Sequence, residues 1–271
     1  MNECYREKFI YNNEVKKSKE FNQDVLFLGK SLYEVLRIME GVPLFLEDHL
    51  ERLNYSAKVT NLELWMDKEE IKDKIIELCK VNNIVTGNIK IIFNFNGNQK
   101  NFLTYFIRHC YPTEEMYNKG VSTALYHAER ENPNAKVINM NLREATNKVI
   151  KEKGVYEVIL VDNNERITEG SKSNIFMIKN KCVYTSPVDE VLPGITRKYI
   201  IRVCERLGLK VIEHQINYKE INDLDALFIS GTSPKVLPIV NVDNVKFSSQ
   251  NEVLLKIMKG FDEVIESYIK I

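Results

Sequence analysis

Apolar and polar positions change their period along this chain, and the changes predict its elements. Between residues 25 and 47 the stretches L-Y-E-V-L-R-I-M and V-P-L-F-L read as strands on either side of Gly41. Residues 47–61 then read as a helix. Residues 68–81 read as a second one, with Ile71, Ile75, Ile76 and Cys79 on one face. Residues 88–96 and 101–110 are apolar runs joined at Gly97, which predicts a hairpin. In the second half Leu142, Ala145, Val149 and Ile150 fall at helical spacings. Val158-Ile159-Leu160-Val161, a polar Asp162-Asn163-Asn164 turn and a return through Arg166 predict another hairpin. Pro193 and Gly194 predict a turn, after which Thr196 opens an amphipathic helix to about Leu207.

These elements group into a small α/β domain over residues 1–118, a connection over 119–130 that contains Val121 to Tyr126, and a larger domain over 131–271 entered at the Asn132-Pro133-Asn134 turn. The 271 residues, 44% hydrophobic and 28% charged, suffice for one large or two modest cores. The 38 basic residues balance 38 acidic ones, which leaves no electrostatic case for nucleic acid or an anionic membrane as partner. Five scattered cysteines without C-x-x-C spacing predict reduced thiols, no zinc site and a cytoplasmic location. The start M-N-E-C-Y-R-E-K is too charged for a signal peptide, and no apolar run approaches membrane-spanning length. His49, His109, His127 and His214 show no metal-ligand spacing and read as capping or packing residues, so no metal is expected. Ser171 lacks a nucleophile-elbow context, and no G-x-G-x-x-G or Walker sequence is present.

Candidate chemistry concentrates at R-I-T-E-G-S-K-S-N-I-F, residues 166–176. The hairpin delivers Glu169 to a sheet edge or cavity; the alternative is a surface carboxylate before a Gly-Ser turn. Upstream, Lys136 precedes the Leu142 helix. Downstream, the backbone amides and hydroxyl at the start of the Thr196 helix suit a phosphate. An amine, a carboxylate and an anion cradle are together what pyridoxal 5'-phosphate demands.

Four segments then carry a resemblance that spans nearly the whole chain: Leu46-Glu-Asp-His-Leu-Glu-Arg-Leu53, residues 136–157, Thr168-Glu-Gly-Ser-Lys-Ser-Asn-Ile-Phe176, and Leu192-Pro-Gly-Ile-Thr-Arg197 followed by Ser230-Gly-Thr-Ser-Pro-Lys-Val-Leu-Pro238. In order and spacing the chain resembles the fold-type IV pyridoxal-phosphate enzymes, or class IV aminotransferases. That family includes branched-chain and D-amino-acid aminotransferases and aminodeoxychorismate lyases. The resemblance implies an α+β, two-domain fold with a small N-terminal α/β sandwich and a larger C-terminal pseudo-barrel. It implies transfer of an amino group between an amino acid, branched-chain or otherwise small and hydrophobic, and a 2-oxo acid. The alternative within the family is lyase chemistry, the elimination of pyruvate from aminodeoxychorismate.

Residue by residue, the resemblance makes Lys136 the Schiff-base lysine and proton carrier. That task needs a neutral amine, with a pKa pulled below the usual value of about 10.4. Lys148 and Lys151 are the alternatives. Glu169 would partner the cofactor's ring nitrogen. Arg52 would hold its phosphate together with Ile195, Thr196 and Thr232, the alternative for Arg52 being a surface site paired with Asp48 at helical spacing. Ser173 and Asn174 would shape the cofactor wall or serve only the turn. Tyr33, Arg37 and the Gly231-Thr232-Ser233 loop would face the substrate.

Several family residues are missing. The Tyr-x-Arg pair of branched-chain enzymes reads Asn88-Ile-Lys90 here, and the Arg-x-His pair of D-amino-acid enzymes reads Asn96-Gly-Asn98. The tyrosine that follows the lysine in branched-chain enzymes is absent too, with Asn139 or Asn141 nearest. The resemblance also implies a homodimer, for which Tyr105-Phe106-Ile107 and Leu26-Phe27-Leu28 are candidate apolar surface.

Overall fold

The computed structural model describes residues 3–270 and divides into two compact units. The first unit runs to Cys110 and also takes in Ala135–Ile138 and the residues from Tyr268 onward; the second comprises Tyr111–Asn134 and Asn139–Ser267.

The first unit holds β1 (Lys8–Tyr11), β2 (Glu14–Lys17), β3 (Lys30–Met39), β4 (Val42–Pro43), α1 (Leu46–Val59), α2 (Lys68–Asn82), β5 (Gly87–Asn96) and β6 (Gln99–Ile107). The strands form one six-stranded sheet in the order β2-β1-β6-β5-β3-β4. Alternation along β3 sends Leu32, Leu36 and Ile38 into one core with Leu46, Leu50 and Leu53 of α1 and Ile71, Ile75 and Leu78 of α2. The start of α2 is fixed by a capping box: the Asp67 amide donates to Glu70 and the Glu70 amide to Asp67.

Three local expectations change. Gln23–Phe27 forms a 3-10 helix, not a strand, because the Asn22 side chain accepts from the Asp24 amide and closes a turn there. Strand pairing after Gly41 is only two residues long, since Phe45 adopts a left-handed φ of 54° and turns the chain directly into α1. Tyr105 and Phe106 point to opposite faces of β6 and are each buried within this unit, so that pair offers no surface to a partner.

The second unit holds α3 (Glu114–Lys119), β7 (Val121–His127), α4 (Met140–Lys153), β8 (Glu157–Val161), β9 (Arg166–Gly170), β10 (Asn174–Lys179), β11 (Cys182–Thr185), α5 (Ile195–Arg206), β12 (Val211–Glu213), β13 (Ile216–Asn217), β14 (Ala226–Gly231), β15 (Lys235–Val242), β16 (Val245–Lys246) and nearly all of α6 (Glu252–Ile269). Its ten-stranded sheet runs β12-β11-β10-β14-β15-β7-β8-β9-β13, with β16 beside β15. The stretch expected as a connection thus contains β7, a strand in the middle of this sheet, paired in parallel with both β15 and β8.

Chain connectivity forces the sheet to curl. In the strand order five inter-strand steps separate β10 from β9, about 24 Å in a flat sheet at about 4.8 Å per step. The link between these strands is Ser171-Lys172-Ser173, which spans at most about 14 Å. Only a curled sheet satisfies both. The curl wraps around Ile159, Ile175, Met177, Leu227, Ile229, Leu237 and Ile239, while α4 covers Ala124, Val158 and Leu160 outside it.

Candidate active site

The two units carry separate groups of candidate residues. In the first, Lys136 sits on a four-residue segment that zips onto the edge of β3 left open by the short β4. The Tyr33 amide donates to the Lys136 carbonyl at 3.1 Å, the Ile138 amide to the Ser31 carbonyl at 3.1 Å, and the Lys136 amide to Ser56 Oγ at 3.1 Å. Val137 pairs with Leu32. These contacts hold the lysine by its main chain. Its Nζ lies 4.9 Å from the centroid of the Tyr33 ring.

Arg52, on α1, is 7% exposed, and it pairs with Glu34 of β3. Arg52 Nε donates to Glu34 Oε1 at 2.8 Å and Nη2 to Oε2 at 2.6 Å, while His49 Nδ1 lies 2.8 Å from the same Oε2. Burial pushes the Glu34 carboxyl up. The Arg52 charge and the hydrogen bonds from Arg52 and His49 together outweigh this, and the group is held at about 2. Burial likewise pushes His49 down; Glu34 opposes that shift, and the charges of Arg52 and Lys136 reinforce it. Arg37 and Tyr33 occupy the opposite face of β3, half-buried.

In the second unit Glu169 is the penultimate residue of β9 and is buried. Its Oε1 forms an ion pair with Arg130 Nε at 2.6 Å, and its Oε2 accepts from the Leu192 amide at 3.3 Å and from Asn174 Nδ2 at 3.4 Å. Asn174 also donates to the Leu192 carbonyl at 2.9 Å, which ties β10 to the turn before α5. A second buried carboxylate, Glu157, shapes the link after Glu169. Its Oε1 accepts from the Lys172 amide at 2.5 Å and from the hydroxyls of Ser173 at 3.1 Å and Ser171 at 3.4 Å. Burial pushes Glu157 up, and these donors oppose the shift.

Ile195 and Thr196 are the first two residues of α5, both buried, so their amides belong to a helix start that has no side-chain cap. Gly231 ends β14, with Thr232 and Ser233 in the turn to β15. Ser173 is buried and serves Glu157, which gives it a part in the turn.

Sequence reasoning did not single out Glu34, Arg130 or Glu157. Glu34 was detectable as an acid at an apolar position of an alternating strand. Arg130 and Glu157 carry no comparable local signal.

By donor chemistry the residues fit pyridoxal 5'-phosphate. Lys136 supplies an amine and Glu169 a buried carboxylate. Arg52 and the uncapped start of α5 supply anion donors, and next to that start Gly194 leaves no room for a methyl group. A Cβ on Gly194 would overlap Asn174 Oδ1 although its φ of −64° suits any residue, so the constraint there is space and not backbone conformation. Gly194→Ala is expected to cost about 1–3 kcal/mol of stability, the usual range for overpacking. It should also displace Asn174 from Glu169. Thermal and denaturant unfolding check the first effect, and an unfolding midpoint equal to wild type would contradict it.

Comparison with known proteins shows the family. The family model for class IV amino-transferases matches residues 31–242. A D-alanine aminotransferase of Staphylococcus haemolyticus is 31% identical over 281 residues, covering 96% of each chain. A putative branched-chain-amino-acid aminotransferase of Methanocaldococcus jannaschii is 26% identical over 275 residues, covering 95% of this chain and 94% of that one. In fold, the branched-chain aminotransferase of Thermoproteus uzoniensis, solved with norvaline, superposes with a TM-score of 0.87 at 22% identity, covering 98% of each chain. On the strength of the family match the chain belongs to the class IV aminotransferases.

Proposed function

We propose that the enzyme transfers the amino group of an amino acid with a small or branched aliphatic side chain to a 2-oxo acid, with Lys136, Glu169 and Arg52 in the leading roles. Class IV aminotransferases work with pyridoxal 5'-phosphate, which when bound supplies the electron sink that acidifies the Cα–H of an amino acid and carries the amino group between half-reactions.

Lys136 Nζ would hold the cofactor, and its amine would take the proton from the substrate Cα. The Glu169 carboxylate holds a proton at the cofactor's ring nitrogen. Arg52, the Ile195 and Thr196 amides and the Thr196 and Thr232 hydroxyls bind the phosphate. Asn174 supports Glu169 and Ser173 supports the wall beside it. Tyr33, Arg37 and the Gly231-Thr232-Ser233 loop bind the substrate.

One observation carries the choice of aliphatic substrates. Lys90, on the same sheet face as Tyr33, is 2% exposed, lies 5.3 Å from the Tyr33 centroid and pairs with Glu3 at 2.8 and 3.0 Å, while Tyr105 donates to the same Glu3 at 2.8 Å. A cation already balanced by an internal carboxylate is poorly placed to recruit a second carboxylate on a substrate. The names of the relatives, D-alanine and branched-chain, support the same choice. Turnover with D- and L-alanine, leucine and valine as donors, against D- and L-aspartate and with aminodeoxychorismate as a control, tests it. Preferred turnover of aspartate, or release of pyruvate from aminodeoxychorismate, would overturn it.

We further propose cytoplasmic action, supported by five scattered cysteines without C-x-x-C spacing, and a two-fold symmetric homodimer whose partner loop closes the substrate side against water. Phe27 and Leu28, 44% and 54% exposed beside buried Leu26, are the apolar surface that supports the dimer. Light scattering at assay concentration is expected to give twice the chain mass. A fully active monomer would contradict the dimer.

A further inference from the structure

Along β3 the face that carries Leu32, Leu36 and Ile38 is the face buried against α1, and Glu34 stands in the middle of it, 0% exposed. On α1 the residues that meet this face include Leu46, Leu50, Leu53 and Ala57, with His49 and Arg52 interleaved one helical turn apart. A carboxylate, an imidazole and a guanidinium therefore occupy a layer that is otherwise mostly apolar. Stability does not account for them. A buried ion pair is often no better than apolar residues of the same volume, and removal of one member strands the other.

The geometry does give the cluster a purpose. Glu34 engages Nε and Nη2 of Arg52 in a two-point fork, and this fixes both the rotamer and the plane of a long, otherwise rotatable side chain. His49 meets the oxygen that Nη2 meets, so the carboxylate cannot swing about its own Cγ–Cδ bond without losing a partner. The fork uses the guanidinium edge formed by Nε and Nη2, and its orientation sets that of Nη1.

We propose that Glu34 is the positioning residue of the phosphate site: it sets the plane of the Arg52 guanidinium toward the cofactor phosphate, and His49 holds Glu34 in place. The inference rests on the reading that Arg52 binds that phosphate. Two physical effects oppose each other here, which makes the inference decidable. Loss of the Glu34 charge leaves the site more positive and favours a phosphate. Loss of its fork leaves Arg52 misaligned and disfavours one.

The test uses the full-length apoenzyme titrated with pyridoxal 5'-phosphate and, separately, with pyridoxal, which lacks the phosphate. The ratio of the two affinities isolates phosphate recognition from any general loss of fold, which would weaken both ligands alike. Glu34→Gln is expected to lower the ratio about 10-fold, and Arg52→Gln about 10- to 100-fold, the range for hydrogen bonds to charged groups. The double variant should fall no further than Arg52→Gln alone, because Glu34 acts only through Arg52.

A wild-type or raised ratio in Glu34→Gln, with a lowered one in Arg52→Gln, would overturn the positioning role and leave the Arg52 reading standing. An unchanged ratio in Arg52→Gln would overturn that reading and the inference with it. Should Glu34→Gln fail to fold, Glu34→Asp keeps the charge but retracts the carboxylate by one methylene. It is then expected to lower the ratio several-fold, and an unchanged ratio would refute the inference.

Discussion

Lys136→Ala is expected to reduce the half-reaction with every amino donor by at least about 10⁴-fold, the upper range of what one positioned acid-base group contributes, and it also loses covalent attachment of the cofactor. The fold should survive. The contacts that seat this segment, to Tyr33, Ser31 and Ser56, use main-chain atoms that alanine retains, and Val137 keeps its pairing with Leu32. A near-wild-type unfolding midpoint together with lost single-turnover activity is therefore the expected pair of results. Residual activity within about 10-fold of wild type would remove the lysine from its role.

Glu169→Gln is expected to slow removal of the Cα proton by at least about 10²-fold while cofactor still binds, since a neutral amide cannot hold the ring-nitrogen proton. The surroundings of Glu169 make the amide a poor substitute for a second reason. Arg130 forms an ion pair with one oxygen, and Leu192 and Asn174 donate to the other. An amide offers one acceptor oxygen, so its NH₂ group must face donors on one side, at a cost of about 1–3 kcal/mol for the unmade hydrogen bonds. Glu169→Asp keeps the charge and should retain more of the rate than Glu169→Gln does. Single-turnover kinetics with a saturating donor measure this, and equal rates in wild type and Glu169→Gln would exclude the proposed role.

Local rules made the framework of this protein legible in its sequence, and they fail where the chemistry is held by long-range pairs. The hairpin around Asp162-Asn163-Asn164 appears as β8 and β9, and the turn at Pro193-Gly194 does open α5, because each rests on chain-local geometry. Arg52 was visible as a residue of α1, but its partner was not. Glu34 lies 18 positions away on a strand, and the i, i+4 choice of Asp48 is the only one that helix spacing offers.

The placement of Ala135–Ile138 in the first unit was hidden for a similar reason. A four-residue excursion pairs with an edge that is open only because β4 is two residues long. The curl of the second sheet is likewise a property of strand order, which no single segment encodes.

The assignment of Lys136 is the claim on which the other roles depend. Borohydride reduction of the enzyme loaded with pyridoxal 5'-phosphate, followed by peptide mapping, fixes the pyridoxyl group on whichever amine holds the cofactor. The account predicts one label per chain, on Lys136; a label on Lys148, Lys151 or any other lysine would contradict it.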